Sequence, residues 1–158
     1  YSRSFHHENY RIDPWKVQKI AVTKLQRVID ANFNRAKEGL RVCEDICRFI
    51  YDDRKLTRRY KNIRHKLTQA MTALPITEII QARDISADIG KKTLPAERKR
   101  HTVADIFYAN SQRVKESLRV LEEFTKLLNS KSALELKKLR NRNFLLFKID
   151  DFVSNYLW

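Results

Sequence analysis

Apolar residues recur every three or four positions along most of the chain, and no stretch alternates with period two for long enough to propose a strand. The pattern predicts helices throughout. Asp13 and Pro14 read as an N-cap followed by proline at the first helical position, and the periodicity after them runs to about Tyr51 with no breaker except Gly39. One long helix is expected there, or two with a joint before Ile29. Asp52 or Asp53 caps a second helix carrying Leu56, Tyr60, Ile63, Leu67, Ala70, Met71 and Leu74, and Pro75 stops it. Thr77 with Glu78 starts a short helix to about Ala82. From Arg83 to Arg100 no period holds, and Gly90 and Pro95 fall in this stretch, so one long loop is expected; long ordered loops in compact domains are often functional. Thr102 and Asp105 form a T-x-x-D capping signal for a helix reaching about Leu128, and Ser132 with Glu135 repeats the device for a last helix to near Tyr156.

The chain also repeats itself. Residues 31–44, ANFNRAKEGLRVCE, match residues 109–122, ANSQRVKESLRVLE, at a constant offset of 78. Nine of the fourteen positions are identical, Ala31, Asn32, Arg35, Lys37, Glu38, Leu40, Arg41, Val42 and Glu44. Unrelated segments of that length would share roughly one. The offset continues more weakly, pairing Asp45 with Glu123, Leu56 with Leu134, Arg64 with Arg142 and Leu67 with Leu145. The expected fold is therefore all-α, a bundle of long helices built from two pseudo-symmetric helical hairpins with one long central loop. Residues 13–158 form a single helical domain on this reading, with repeat units 29–74 and 103–157 joined by 75–102. Residues 1–12, which include His6 and His7, are expected to be disordered or to derive from expression.

Composition narrows the chemistry. With 2 Gly and 3 Pro in 158 residues, turns are few and no Gly-rich phosphate loop exists, so any phosphate site must be built from side chains and helix ends. A net charge of +14 points to anionic partners, whether nucleic acid, phosphorylated metabolites or acidic lipid. The longest apolar run, Phe144 to Phe147, is far too short to span a bilayer. Cys43 and Cys47 stand four apart among apolar neighbours, which fits core packing in a reducing, cytoplasmic compartment better than half of a metal site.

At about 100° per residue, Leu25, Ile29, Ala36, Leu40, Cys43, Cys47 and Ile50 define an apolar face, and Asn32 and Arg35 fall inside it or at its margin. Asn110 and Arg113 do the same among Ile106, Val114, Leu118, Leu121 and Leu128. A buried arginine needs a partner. Either Glu38 or Glu116 supplies it across the bundle, or two Asn and two Arg converge on an anionic ligand in a polar cavity between the halves. The rows Glu38, Arg41, Glu44, Asp45 and Glu116, Arg119, Glu122, Glu123 read as solvated helix-surface ion pairs whose duplication raises the case for function. In the loop, Arg83, Asp84 and Asp88 suit a Mg²⁺ and phosphate clamp, although loop aspartates are ordinary turn formers too. Arg54, Lys55, Arg58, Arg59, Lys61, Arg64 and Lys66 form an acid-free basic run, and His65 beside Arg64 is a further phosphate donor or a structural histidine.

Taken together, IDANFNRAKEGLRVCEDICRF at 29–49, RHKL at 64–67, ARDISADIG at 82–90 and ANSQRVKESLRVLEEFTK at 109–126 resemble the helical hydroxymethylpyrimidine phosphate kinase domain of thiamine biosynthesis. That domain is often fused ahead of thiamine phosphate synthase, and the resemblance covers residues 28–148. It implies ATP-dependent phosphorylation of hydroxymethylpyrimidine phosphate to the diphosphate, with ATP and Mg²⁺ as cofactors. Under that reading Arg35, Arg113 and Arg83 are catalytic; Asn32, Asn110, Arg64, His65, Arg41 and Arg119 bind substrate; Asp84, Asp88, Glu38 and Glu116 hold the metal. Ser111–Gln112 and Ser86–Ala87 depart from the family pattern but leave its charged positions intact. A thiamine phosphate synthase domain and a second copy of the chain are the expected macromolecular partners, with no membrane and no nucleic acid. Two other classes compete: a non-catalytic partner or oligomerisation domain of the synthase, and a helical nucleic-acid-binding protein.

Overall fold

The structure, a computed structural model, describes residues 14–84 and 100–147, with side chains over 21–84 and 100–143. Five helices follow one another: α1 (Pro14–Phe49), α2 (Arg54–Met71), α3 (Ile76–Gln81), α4 (Val103–Thr125) and α5 (Ser130–Phe147). The described residues contain no strand, and the fold is all-α as expected. Asp13, Asp88 and the C-terminal stretch beyond Phe147 lie outside the described residues.

α1 is a single helix of 36 residues with no joint before Ile29, about 54 Å long at 1.5 Å per residue. It packs most extensively on α4; α2 returns along α1, α5 returns along α4, and α2 and α5 touch. Two points fix the direction of the central pair. Gly39 lies against Asn110 and Val114, and four residues further on the Cys43 thiol lies 3.8 Å from the Phe107 carbonyl oxygen, so α4 recedes as α1 advances. The approach at Gly39 is close: a Cβ there would stand 2.7 Å from Val114 Cγ2 and 2.9 Å from the Asn110 carbonyl oxygen. A glycine in mid-helix costs about 1 kcal/mol in propensity. Here it lets the two long helices meet.

The core runs between the hairpins through Ile29, Ala36, Leu40, Cys43 and Cys47 of α1, Leu56, Tyr60, Ile63 and Leu67 of α2, Val114, Leu118 and Leu121 of α4, and Leu136 and Leu139 of α5. Tyr60 meets Phe107 edge to face, with ring centroids 6.0 Å apart. The apolar face is narrower than the sequence suggests at its ends. Ile50 is 53% exposed because α1 stops at Phe49, and Leu128 is 37% exposed because α4 stops at Thr125. Ile106 is also 37% exposed, and its neighbour Phe107 takes the buried position.

The caps explain where the helices begin. Asp53 accepts the Leu56 amide at 2.8 Å, and Asp52 before it takes a left-handed φ of 51° that Asp tolerates better than most residues. Thr102 and Asp105 form the expected reciprocal capping box. The last helix is capped differently from the expectation: Asn129 Oδ1 accepts the Ser132 amide at 3.0 Å, and Ser132 is buried in the first turn. This moves the repeat register. The cap follows the equivalent glutamate by nine residues in the first half, Glu44 to Asp53, and by seven in the second, Glu122 to Asn129. Returning helices therefore correspond at an offset of 76, matching Leu56 with Ser132, Tyr60 with Leu136, Ile63 with Leu139, Leu67 with Asn143 and Arg64 with Arg140, with all but the two arginines buried. The expected pairs Leu56–Leu134, Arg64–Arg142 and Leu67–Leu145 are displaced by half a turn; Leu134 is 52% exposed where Leu56 is 6%.

Candidate functional site: the seam between the two long helices

The repeated residues separate into two sets with different duties. Glu44 and Glu122, read from the sequence as solvated, have side chains only 3% exposed. Each is held by two arginines. Glu44 takes Arg64 Nε from α2 at 2.9 Å and Arg41 Nη1 from its own helix at 3.5 Å; Glu122 takes Arg140 Nε from α5 at 2.8 Å and Arg119 Nη1 at 3.0 Å. Arg41 and Arg119 reach on to Asp45 and Glu123 four residues ahead, at 3.3 and 3.0 Å. A carboxylate removed from water needs such compensation, and the same triad locks each hairpin shut. Arg41, Arg64 and Arg119, expected to bind substrate, are thus engaged in ion pairs that join or brace helices.

The second set is left open. Ala31, Arg35, Glu38 and Val42 form one row along α1, spaced i, i+4, i+7, i+11, which borders the Gly39 contact on the side away from Leu40 and Cys47. Ala109, Arg113, Glu116 and Val120 form the equivalent row on α4. In both, the alanine and the valine are half-buried while the arginine and the glutamate are exposed. Arg35 and Arg113 are therefore not buried charges needing a partner, and neither Glu38 nor Glu116 neutralises them. Among the described residues Arg35, Glu38 and Arg113 make no hydrogen bond or ion pair; Glu116 accepts the Gln112 amide at 2.9 Å. Asn32 is 8% exposed and ties its Nδ2 to the Val28 carbonyl at 2.9 Å, while the half-buried Asn110 does the same to Ile106 at 2.8 Å. Two arginines, two carboxylates and two amides so flank one antiparallel seam.

The remaining expected residues lie apart from this seam. Arg83 binds Asp30 through two guanidinium nitrogens, Nε to Oδ2 and Nη2 to Oδ1, each at 2.8 Å, and these bonds raise its pKa above the ordinary arginine value. Arg27 Nη2 donates to the Asp84 carbonyl at 2.9 Å. Together they fasten the chain after α3 to α1 at Arg27 and Asp30, within the turn that precedes the Ala31–Val42 row. His65 is exposed on α2. Cys43 and Cys47 are buried thiols whose pKa values are pushed up to about 12, chiefly by burial, so neither is a thiolate at neutral pH. Burial likewise raises the Tyr60 hydroxyl well above its usual range, with Ser111 opposing the shift.

The signal for the buried triads was available in the sequence. Asp53 to Arg64 and Asn129 to Arg140 are both steps of eleven residues, and aligning the returning helices by their caps rather than at offset 78 would have matched the two arginines.

The donor set of the seam suits phosphate groups: two exposed guanidinium groups, each able to bind an anion with paired N–H donors. For a divalent cation, no group of three or more His, Cys, Asp or Glu side chains converges among the described residues. Single carboxylates such as Glu38 and Glu116 match Mg²⁺ that keeps most of its water and phosphate ligands, which is how it commonly accompanies nucleotides.

The family model described as ThiD2 family matches residues 27–149, which takes in α2 to α5 and the repeat-bearing part of α1. The thiamine-phosphate synthase of Thermosynechococcus vestitus is 40% identical over 124 residues, 78% of this chain and 34% of that protein. Those of Nostoc punctiforme and Rhodopirellula baltica are 35% identical over 136 residues and 37% over 123, covering 85% and 77% of this chain. The chain spans 38% and 33% of those two, so it corresponds to about a third of such relatives. No solved structure matches. With its duplicated Asn-x-x-Arg-x-x-Glu rows inside the matched region, the chain belongs to the ThiD2 family.

Proposed function

We propose that the chain phosphorylates hydroxymethylpyrimidine phosphate to the diphosphate at the α1–α4 seam, using Mg²⁺-ATP, as a component of thiamine biosynthesis. The observation that carries this reading is the sparing of one repeated set. The fold consumes Arg41, Glu44, Arg119 and Glu122 in structural triads, yet leaves Arg35, Glu38, Arg113 and Glu116 exposed beside the central crossing. Duplicated residues with no structural work are the ones free to meet a ligand. The relatives' name, thiamine-phosphate synthase, supports the pathway, and their length leaves room for a synthase beside this domain.

The chemistry asks little of a base, because the acceptor is already an anionic phosphate oxygen. Two anions must instead be held close together in line, and positioning with charge neutralisation supplies most of the acceleration. Arg35 and Arg113 offset that repulsion from opposite sides of the seam. Glu38 and Glu116 orient the hydrated cation that comes with the nucleotide, and the Asn32 and Asn110 amides offer edges for an aminopyrimidine. When bound, Mg²⁺-ATP supplies the phosphoryl group.

The test is ADP release from Mg²⁺-ATP with hydroxymethylpyrimidine phosphate, run beside Arg35→Ala and Arg113→Ala. Both side chains are exposed and unpaired, so the variants should keep the wild-type helical signal and thermal midpoint while turnover falls at least about a hundredfold. Turnover unchanged in both would remove the seam as the active site. No turnover in wild type, with the substrate validated, would favour a domain that docks on the synthase without catalysis.

A further inference from the structure

A second cluster of cations lies away from the seam. A cleft of about 440 Å³ opens between the C-terminal half of α2 and the stretch of α5 from Lys131 to Arg142. Its walls carry Lys66 from α2 and Lys131, Lys138 and Arg142 from α5, and its one carboxylate is Glu135. Lys138 and Glu135 pair at 2.7 Å. That leaves Lys66, Lys131 and Arg142 with no ion-pair partner among the described residues. Glu135 is held below the usual carboxylate range first by its bond to Lys138, against an opposing effect of desolvation, and further by Arg142 and Lys131, and Lys66 lines the same cleft from α2. The register of the returning helices makes this specific, since at offset 76 Lys66 and Arg142 occupy equivalent positions. Like charges brought together repel, and a bound anion relieves that repulsion.

The shape selects the kind of anion. The volume falls in the range of small-molecule pockets, roughly 300–1,000 Å³. Ala70 and Leu139 give the cleft an apolar wall, and Gln69 and Ser132 add uncharged polar groups. Arg54, Lys55, Arg58 and Arg59 line a separate surface on α2, where an extended polyanion would find a run of cations instead. We propose that the α2–α5 cleft binds a phosphorylated small molecule, a diphosphate or larger, through Lys66, Lys131, Lys138 and Arg142, at a site independent of the α1–α4 seam.

Inorganic pyrophosphate titrated calorimetrically into the full chain carrying Arg35→Ala and Arg113→Ala reads this site with the seam arginines removed. Binding should persist there, and adding Lys66→Gln with Arg142→Gln should weaken it at least tenfold, with the helical signal intact. Sulfate at matched ionic strength should bind at least tenfold more weakly than pyrophosphate. Absence of pyrophosphate binding, or an affinity indifferent to Lys66→Gln and Arg142→Gln, overturns the proposal. Displacement of pyrophosphate by a short DNA duplex at lower concentration also overturns it, by making the cleft part of a nucleic-acid face. Kinase turnover in the Lys66→Gln, Arg142→Gln protein with native seam arginines is a separate readout of the seam, so failure of either idea is distinguishable.

Discussion

A carboxylate that is 3% exposed and touched by two guanidinium groups is satisfied only as long as both remain. Replacing Arg64 or Arg140 by Met strips the inter-helix partner and leaves the glutamate with the more exposed Arg41 or Arg119. Breaking a buried pair from one side costs about 3–5 kcal/mol; the residual arginine and the one-fifth exposure of the lost one reduce this to about 2–3 kcal/mol. Urea unfolding should therefore show Arg64→Met and Arg140→Met destabilised by similar amounts, with Glu44→Met restoring part of the loss in the Arg64→Met background. A change below about half a kcal/mol would mean that water already satisfies the glutamate. At this scale the sequence was least legible. Helical phase places Glu44, Arg35 and Asn32 correctly around α1, but phase alone does not say which flanks other helices cover. Arg35, expected inside the apolar face or at its margin, is exposed, while Glu44, expected to be solvated, is buried, because α2 covers the Glu44 flank and leaves the Arg35 flank open.

Elements were more legible, since caps and breakers act locally. Asp53 and the Thr102–Asp105 box mark their boundaries where the structure has them, whereas α2 ends at Met71, short of the expected Leu74 and Pro75, and α3 begins at Ile76 with no side-chain cap from Thr77; Ser132 was expected in place of Asn129 because an S-x-x-E signal stood three residues past the true cap. What local signals could not show is why Gly39 interrupts the best-conserved internal segment. The helix crossing supplies the reason. Gly39→Ala should gain about 1 kcal/mol of propensity yet lose more through contact with the Asn110 backbone and Val114, for a net destabilisation of about 1–3 kcal/mol. Thermal unfolding measures it, and a stabilised Gly39→Ala protein would show that α1 and α4 separate at little cost. Because the seam rows sit beside this crossing, the same variant should also lower the proposed phosphorylation of hydroxymethylpyrimidine phosphate.

Across the whole molecule, 33 basic residues face 19 acidic ones, and the excess is not confined to one ligand site. The buried triads are shielded from solvent ions, whereas the surface cations of α2 and α5 repel through water. Raising NaCl from about 20 to about 200 mM should therefore raise the thermal midpoint, as a screening length falling from roughly 20 Å to below 10 Å quiets that repulsion. A falling midpoint would assign more of the stability to exposed ion pairs such as Lys126–Glu123 than their geometry suggests. The two hairpins reach this common architecture with unequal chain lengths between buried glutamate and cap, nine residues in one and seven in the other. Both corners nonetheless deliver an arginine eleven residues past the cap to the same acid. A duplicated unit that has changed length in one copy records where its design is indifferent to length. The corners are the spacers of this molecule and the glutamates its fasteners, and drift accumulates in the spacer because the returning helix takes its bearings from the cap behind it.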